Sequence, residues 1–76
     1  MSHRHYEVIA IPNKRYGELE IVFESYTVGD AVVFEMKPRD NEVWNDRYSK
    51  FFDDENQFNA YMNRYRDKAL RIDRRS

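Results

Sequence analysis

Cysteine is absent from this 76-residue chain, which excludes disulfide bonds, thiolate metal sites and cysteine nucleophiles. The chain contains only two glycines, and they lie too far apart to form a phosphate-binding loop. Nowhere do about 18 apolar residues run together, and the N-terminus lacks the apolar stretch of a signal peptide. The sequence therefore predicts a cytoplasmic protein of a reducing compartment, without a membrane span.

Groups that carry out acid–base or metal chemistry are also scarce. The only histidines are His3 and His5, close to the N-terminus, and two ligands alone make a weak metal site. Asp53, Asp54 and Glu55 lack the spacing of a calcium loop and are better explained as helix-capping residues. We therefore expect a non-enzymatic protein with no metal and no cofactor.

Aromatic side chains are numerous: five Phe, six Tyr and one Trp. A chain of 76 residues buries a modest fraction of its surface, so these large side chains have to supply much of its core. We predict one domain over residues 1–76, with short flexible ends at about 1–4 and 74–76.

Alternation of apolar and polar residues predicts three strands. A weak alternation covers residues 6–11, a clear one covers 19–28, and a third covers 32–37. Gly29 and Asp30 separate the last two, and a two-residue loop that begins with Gly is typical of a type II′ hairpin turn. The second and third strands should therefore form a tight antiparallel hairpin.

Residues 43–52 fit both a strand and a helical stripe, and we favour a fourth strand because helix-start signals come only afterwards. Asp54 with Gln57 indicates a capping box, with Asp53 as the alternative cap. Apolar residues then recur at helical spacing: Phe58, Tyr61, Met62, Tyr65, Ala69 and Ile72. The predicted fold class is α+β, an antiparallel sheet of three to four strands with one C-terminal amphipathic helix packed on one face.

The hairpin register places two glutamates opposite each other. With Gly29 and Asp30 as the loop, Glu24 lies across from Glu35, which is destabilising on a sheet. Four carboxylates and a tyrosine then share the face opposite the predicted core: Glu18, Glu20, Glu24, Glu35 and Tyr26. One interpretation is a binding site for a protein partner with a basic surface. The other is an ordinary solvated face, relieved by Lys37 or by an arginine from elsewhere.

Basic residues follow helical spacing near the C-terminus: Arg64, Lys68, Arg71 and Arg75. Such a row can follow the phosphates of a nucleic acid, and aromatic residues neighbour basic ones at 14–16, 47–48 and 64–66. Positive charge near a helix C-terminus also favours the helix dipole, and the arginines can pair with the domain's own carboxylates, so the row also has a structural explanation. Direct nucleic-acid binding through this helix is the alternative function.

Charge is segregated along the chain although its net charge is only -1. Residues 16–55 contain eleven Asp or Glu and four Lys or Arg, whereas residues 56–76 contain two and six. Such segregation can orient a charged partner, which favours a protein that binds one.

In size, composition and lack of catalytic motifs, the chain resembles the small proteins with which phages and other mobile elements block host machinery, including anti-CRISPR proteins. The resemblance carries no motif and assigns no residue a role. It implies stoichiometric binding in the host cytoplasm. We therefore expect an inhibitor or modulator of a nucleic-acid-handling protein, the alternatives being direct nucleic-acid binding and a structural homo-oligomer.

Overall fold

The chain forms a five-stranded antiparallel sheet and one α-helix in a computed structural model that describes residues 2–40 and 46–75. In chain order the elements are β1 (Ser2–Asn13), β2 (Gly17–Val28), β3 (Ala31–Pro38), a 3₁₀ turn (Asp46–Tyr48), β4 (Lys50–Phe52), α1 (Glu55–Asp67) and β5 (Arg71–Arg75). The strand order is β4-β3-β2-β1-β5, so the last strand lies beside the first. The predicted α+β class is confirmed.

Two glycines with positive φ allow the turns between the first three strands. Gly17 (φ 79°) begins β2, and Gly29 (φ 62°) connects β2 to β3. This backbone region is accessible to Gly because it has no Cβ. The second turn gives the register that the sequence predicts, in which Glu24 pairs with Glu35.

Helix α1 packs across one face of the sheet and covers a continuous apolar core. Asp54 caps the helix, because its Oδ1 accepts a hydrogen bond from the Gln57 backbone N–H at 2.8 Å. Phe58 and Met62 are the buried residues of the helix. The sheet contributes Ile9, Ile11, Leu19, Ile21, Phe23, Met36 and Phe52. The expected packing of an apolar helix stripe on the sheet is confirmed for Phe58, Tyr61, Met62 and Tyr65. Ala69 follows the helix, and Ile72, predicted to belong to the stripe, lies on β5 and is exposed.

The helix is shorter than predicted, and the sheet has five strands within the described residues instead of three to four. Helix α1 ends at Asp67, and the segment predicted to continue it becomes β5. The Leu70 backbone N–H donates to the Ala10 carbonyl at 2.7 Å, and Ile72 then pairs with Ile9. Pairing with β1 satisfies the backbone groups of two strands at once, an advantage that local helical spacing does not reveal.

The prediction of a long fourth strand is only partly right. Within the predicted range, Lys50–Phe52 form β4 and Asp46–Tyr48 form a 3₁₀ turn, whereas 43–45 lie outside the described residues. Ser2 and Arg75, at the ends that the sequence assigns to flexible segments, are strand residues.

Candidate functional site

The five residues predicted to bind a protein partner lie on the sheet face opposite α1, which we call the outer face. On β2 and β3, Glu24 and Glu35 alternate with Phe23 and Met36 of the core. Three outer-face carboxylates contact cations of the same chain: Glu18 with Arg71, Glu20 with Arg39 at 2.9 Å, and Glu24 with Lys37 at 2.8 Å. The outer face is therefore less negative than the sequence indicates.

Glu24 and Glu35 form an adjacent pair of carboxyl groups on this face. Glu24 is buried, and Lys37 Nζ lies 2.8 Å from Glu24 and 3.5 Å from Glu35. Burial acts to raise the pKa of Glu24, but hydrogen bonds with Lys37 and Glu35 outweigh it and lower the pKa. Burial and the hydrogen bond to Glu24 raise the pKa of Glu35. Glu35 therefore holds a proton more readily than Glu24.

Replacing these two glutamates separately by Gln should have opposite effects on stability at neutral pH. Glu35→Gln removes a carboxylate that is costly to ionise, so we expect stabilisation of about 0.5 kcal/mol. Glu24→Gln removes the charge that Lys37 pairs with and should destabilise the fold.

The gain from Glu35→Gln should disappear as pH falls through the raised pKa of Glu35, because the wild-type side chain is then protonated in the folded state. Urea titrations at neutral and acidic pH measure the free energy of unfolding of both variants and of the wild type. Equal effects of Glu24→Gln and Glu35→Gln would contradict the different environments of the two carboxyl groups.

An exposed aromatic ring lies at the β4 side of the outer face. Phe51 is 66% exposed and pairs directly across from Glu35. Tyr26 is half-buried, and its ring centre lies 5.8 Å from that of His3. Phe51 is therefore a large apolar side chain that this face leaves open to solvent.

The four basic residues predicted to share one helix face do not form a single row. Arg64 lies on α1 and Lys68 is its C-terminal cap, whereas Arg71 and Arg75 belong to β5. Arg71 contacts Glu18 on the outer face. The predicted basic row is therefore divided between α1 and β5. Lys68 lies instead with cations from two other parts of the chain.

An open groove of about 580 Å³ beside the β1–β2 turn brings together basic residues from three parts of the chain. Its basic and aromatic lining residues are Lys14, Arg15, Tyr16, Arg47, Tyr48 and Lys68. Buried Ile11 and Leu19 also line it. No carboxylate of residues 2–40 or 46–75 belongs to this lining, and we call the site the basic groove.

Asn13 holds the turn that carries Lys14 and Arg15. Its Oδ1 accepts hydrogen bonds from the backbone N–H groups of Arg15 at 2.9 Å and Tyr16 at 3.1 Å. The Arg15 guanidinium carbon lies 5.3 Å from the centre of the Tyr16 ring. A short, internally bonded turn therefore presents two cations and an aromatic ring together.

The other cations of the groove come from the 3₁₀ turn and the end of α1. The Arg47 guanidinium carbon lies 5.7 Å from the centre of the Tyr48 ring, and Lys68 caps the helix. Within the described part of the chain, Lys14, Arg15 and Lys68 form no salt bridge. Arg39 and Arg71, by contrast, each form a salt bridge with a glutamate of the outer face.

The sequence signals this groove only in part. Basic and aromatic residues are neighbours at 14–16 and 47–48, and these pairs were visible as a pattern. The sequence does not predict that these residues line one groove with Lys68, because no spacing rule relates a β-turn, a 3₁₀ turn and a helix cap that are distant in sequence.

The chain carries few other markers of function. Among the described residues, no group of three or more His, Cys, Asp or Glu is placed to hold a metal ion. Across the same residues, no helix has the length and apolar character needed to cross a membrane. Comparison of the chain with protein-family models, curated proteins and solved structures finds no match.

Proposed function

We propose that this protein is a non-enzymatic binding module that holds nucleic acid in the basic groove. One observation carries the proposal: four cations and two tyrosines line the groove, with no carboxylate among its described lining residues. Lysine and arginine neutralise phosphates and release counterions, which supplies much of the affinity of such proteins for nucleic acid. Tyrosine rings add stacking contacts with bases.

The distribution of ion pairs supports this site over the outer face. Outer-face glutamates contact lysine or arginine of the same chain, so much of their charge is already balanced. Lys14, Arg15 and Lys68 form no salt bridge among the described residues. Three cations of the groove therefore keep their charge available for an external polyanion, whereas outer-face carboxylates already have cations of the chain beside them.

Removing two groove charges should weaken binding of a fluorescently labelled single-stranded oligonucleotide about tenfold or more. The variant Lys14→Gln with Lys68→Gln takes away two of the four cations. For the wild type, the logarithm of the binding constant should fall with the logarithm of salt concentration at a slope of about −2, as expected for about three phosphate contacts from Lys14, Arg15 and Lys68. In the variant the slope should be about one third as steep. Fluorescence anisotropy over a salt series measures both quantities.

The matched control is Arg64→Gln with Arg75→Gln, which removes the same charge from α1 and β5, outside the groove lining. Screening by salt should limit its effect on affinity to less than about twofold. Loss of binding in this control, with retention in the groove variant, would favour the alternative site, the row of Arg64, Lys68, Arg71 and Arg75. Absence of binding by the folded wild type at low salt would reject the proposed function.

A protein partner with a basic surface is the second candidate, in which the chain inhibits or modulates a nucleic-acid-handling protein. The observation that favours it is Phe51, which is largely exposed across from Glu35 on the outer face. This candidate takes precedence if nucleic acid does not bind. Self-association, the remaining alternative, is detected by sedimentation at two salt concentrations.

A further inference from the structure

Tyr16 lies between the basic groove and a second depression whose border is mainly acidic. It is 46% exposed beside the β1–β2 turn, and it lines both concavities. The second depression, of about 430 Å³, is bordered by Glu18, Leu19, Glu20, Arg39 and Asp40, and we call it the acidic depression. One exposed aromatic ring therefore adjoins both the basic groove and a depression in which three carboxylates accompany one arginine.

We propose that Tyr16 is the stacking platform for one base of a single strand, with adjoining phosphates in the basic groove and the base edge at the acidic depression. This inference rests on the proposed function and names its ligand more closely. An unpaired base exposes both its face and its hydrogen-bonding edge, whereas a paired base within a duplex does not. The arrangement therefore selects single strands over duplexes.

The backbone that carries Tyr16 is held in place before any ligand arrives. The Tyr16 backbone N–H is bonded to Asn13 Oδ1 at 3.1 Å, and Gly17 supplies the positive φ (79°) that follows. Arg15 lies over one face of the ring, so the base stacks on the opposite face, and the Arg15 charge attracts the adjoining phosphate. Because the turn is already ordered, stacking a base on it requires little further loss of conformational entropy.

The acidic depression favours bases that present an amino group. A carboxylate accepts a hydrogen bond from the N4 amino group of cytosine, whereas uracil presents a carbonyl oxygen at the same position. Glu18 and Glu20 each contact an arginine of the chain, but a carboxylate has about four lone-pair sites and can accept further bonds. We therefore expect a preference for cytosine over uracil.

The test compares oligo(dC) with oligo(dU) of equal length, at mildly alkaline pH so that cytosine stays unprotonated. The wild type should bind oligo(dC) about fivefold more tightly. Glu20→Gln should reduce this preference to less than about twofold, whereas the matched variant Glu55→Gln, at the start of α1, should leave it unchanged. Tyr16→Leu should weaken binding of both oligonucleotides about tenfold.

The outcomes separate this inference from the function on which it rests. One outcome would overturn the stacking site and leave the proposed function intact. In it, wild type and Tyr16→Leu bind with the same affinity, neither distinguishes oligo(dC) from oligo(dU), and only the variant Lys14→Gln with Lys68→Gln loses binding. Duplex DNA or heparin binding as tightly as oligo(dC) would also overturn it, because neither offers an unpaired base. No binding of any nucleic acid would reject both proposals.

Discussion

Glu7→Gln should lower the free energy of unfolding by about 3 kcal/mol. Glu7 is 0% exposed on β1, and each of its carboxylate oxygens lies 2.6 Å from a guanidinium nitrogen of Arg66 on α1. Arg74 of β5 approaches the same carboxylate at 3.4 Å. This buried carboxylate connects the helix and the last strand to β1. Neutralising it leaves the partly buried Arg66 without its counter-charge, which costs more than a lost hydrogen bond, whereas the exposed Arg74 stays solvated.

The same ion pair predicts a pH dependence. Burial acts to raise the pKa of Glu7, but the hydrogen bonds and charge of Arg66, together with Arg74 and His5, outweigh burial and lower the pKa. A lowered folded-state pKa stabilises the fold above the unfolded-state pKa, and this stabilisation is lost as pH falls through the folded-state value. The difference between wild type and Glu7→Gln should therefore be largest near neutral pH and shrink below about pH 4.

Glu18→Gln is the matched control for Glu7→Gln, because Glu18 contacts Arg71 in an exposed ion pair. Solvent screens that pair, so this variant should unfold at nearly the wild-type urea concentration. Urea titrations followed by far-UV circular dichroism compare the three proteins. If Glu7→Gln unfolds at the same urea midpoint as the wild type, a stabilising role for the buried pair is contradicted.

Phe58→Ala should destabilise the protein by about 4 kcal/mol, a large share of the total stability of a small domain. The side chain is 2% exposed, and its ring centre lies 5.4 Å from that of Phe34, 5.9 Å from Phe23 and 5.8 Å from Phe52. Truncation removes the helix residue around which three sheet rings pack. The cavity left behind adds to the lost burial, because β-strands cannot readily collapse into it.

Phe51→Ala makes the same chemical change one residue before Phe52 of the core, at a side chain that is 66% exposed. Its effect on stability should stay within about 0.5 kcal/mol. Thermal unfolding of the two variants beside wild type measures the contrast. A larger loss for Phe51→Ala than for Phe58→Ala would contradict the packing of α1 on this face of the sheet.

The β2–β3 hairpin was predictable because its determinants are local. Gly29 and Asp30 define the loop, and the alternation of apolar residues defines which face is buried. The opposition of Glu24 and Glu35 follows from these two signals, and the structure contains it. The start of α1 is equally local, because the cap Asp54 reaches a backbone N–H only three residues ahead.

The end of the helix was not predictable in this way. Residues 69–75 fit helical spacing, yet β1 offers them a strand edge with a set of backbone partners. The sequence has no local signal that ends the helix, since neither Gly nor Pro follows Asp67, so both helix and strand fit these residues. The choice between helix and strand therefore depended on a β-strand at the other end of the chain.

By itself, the sequence determined the hairpin register, the helix start, the apolar core and the presence of segregated charge, because each depends on neighbouring residues or on composition. Only the tertiary structure decided which charges pair within the chain and which line a groove. Folding brings Arg71 to Glu18, 53 positions away, and places Lys68 in the same groove as Lys14 and Arg47. Contacts over such separations are determined by strand order, so no periodicity in the sequence specifies them.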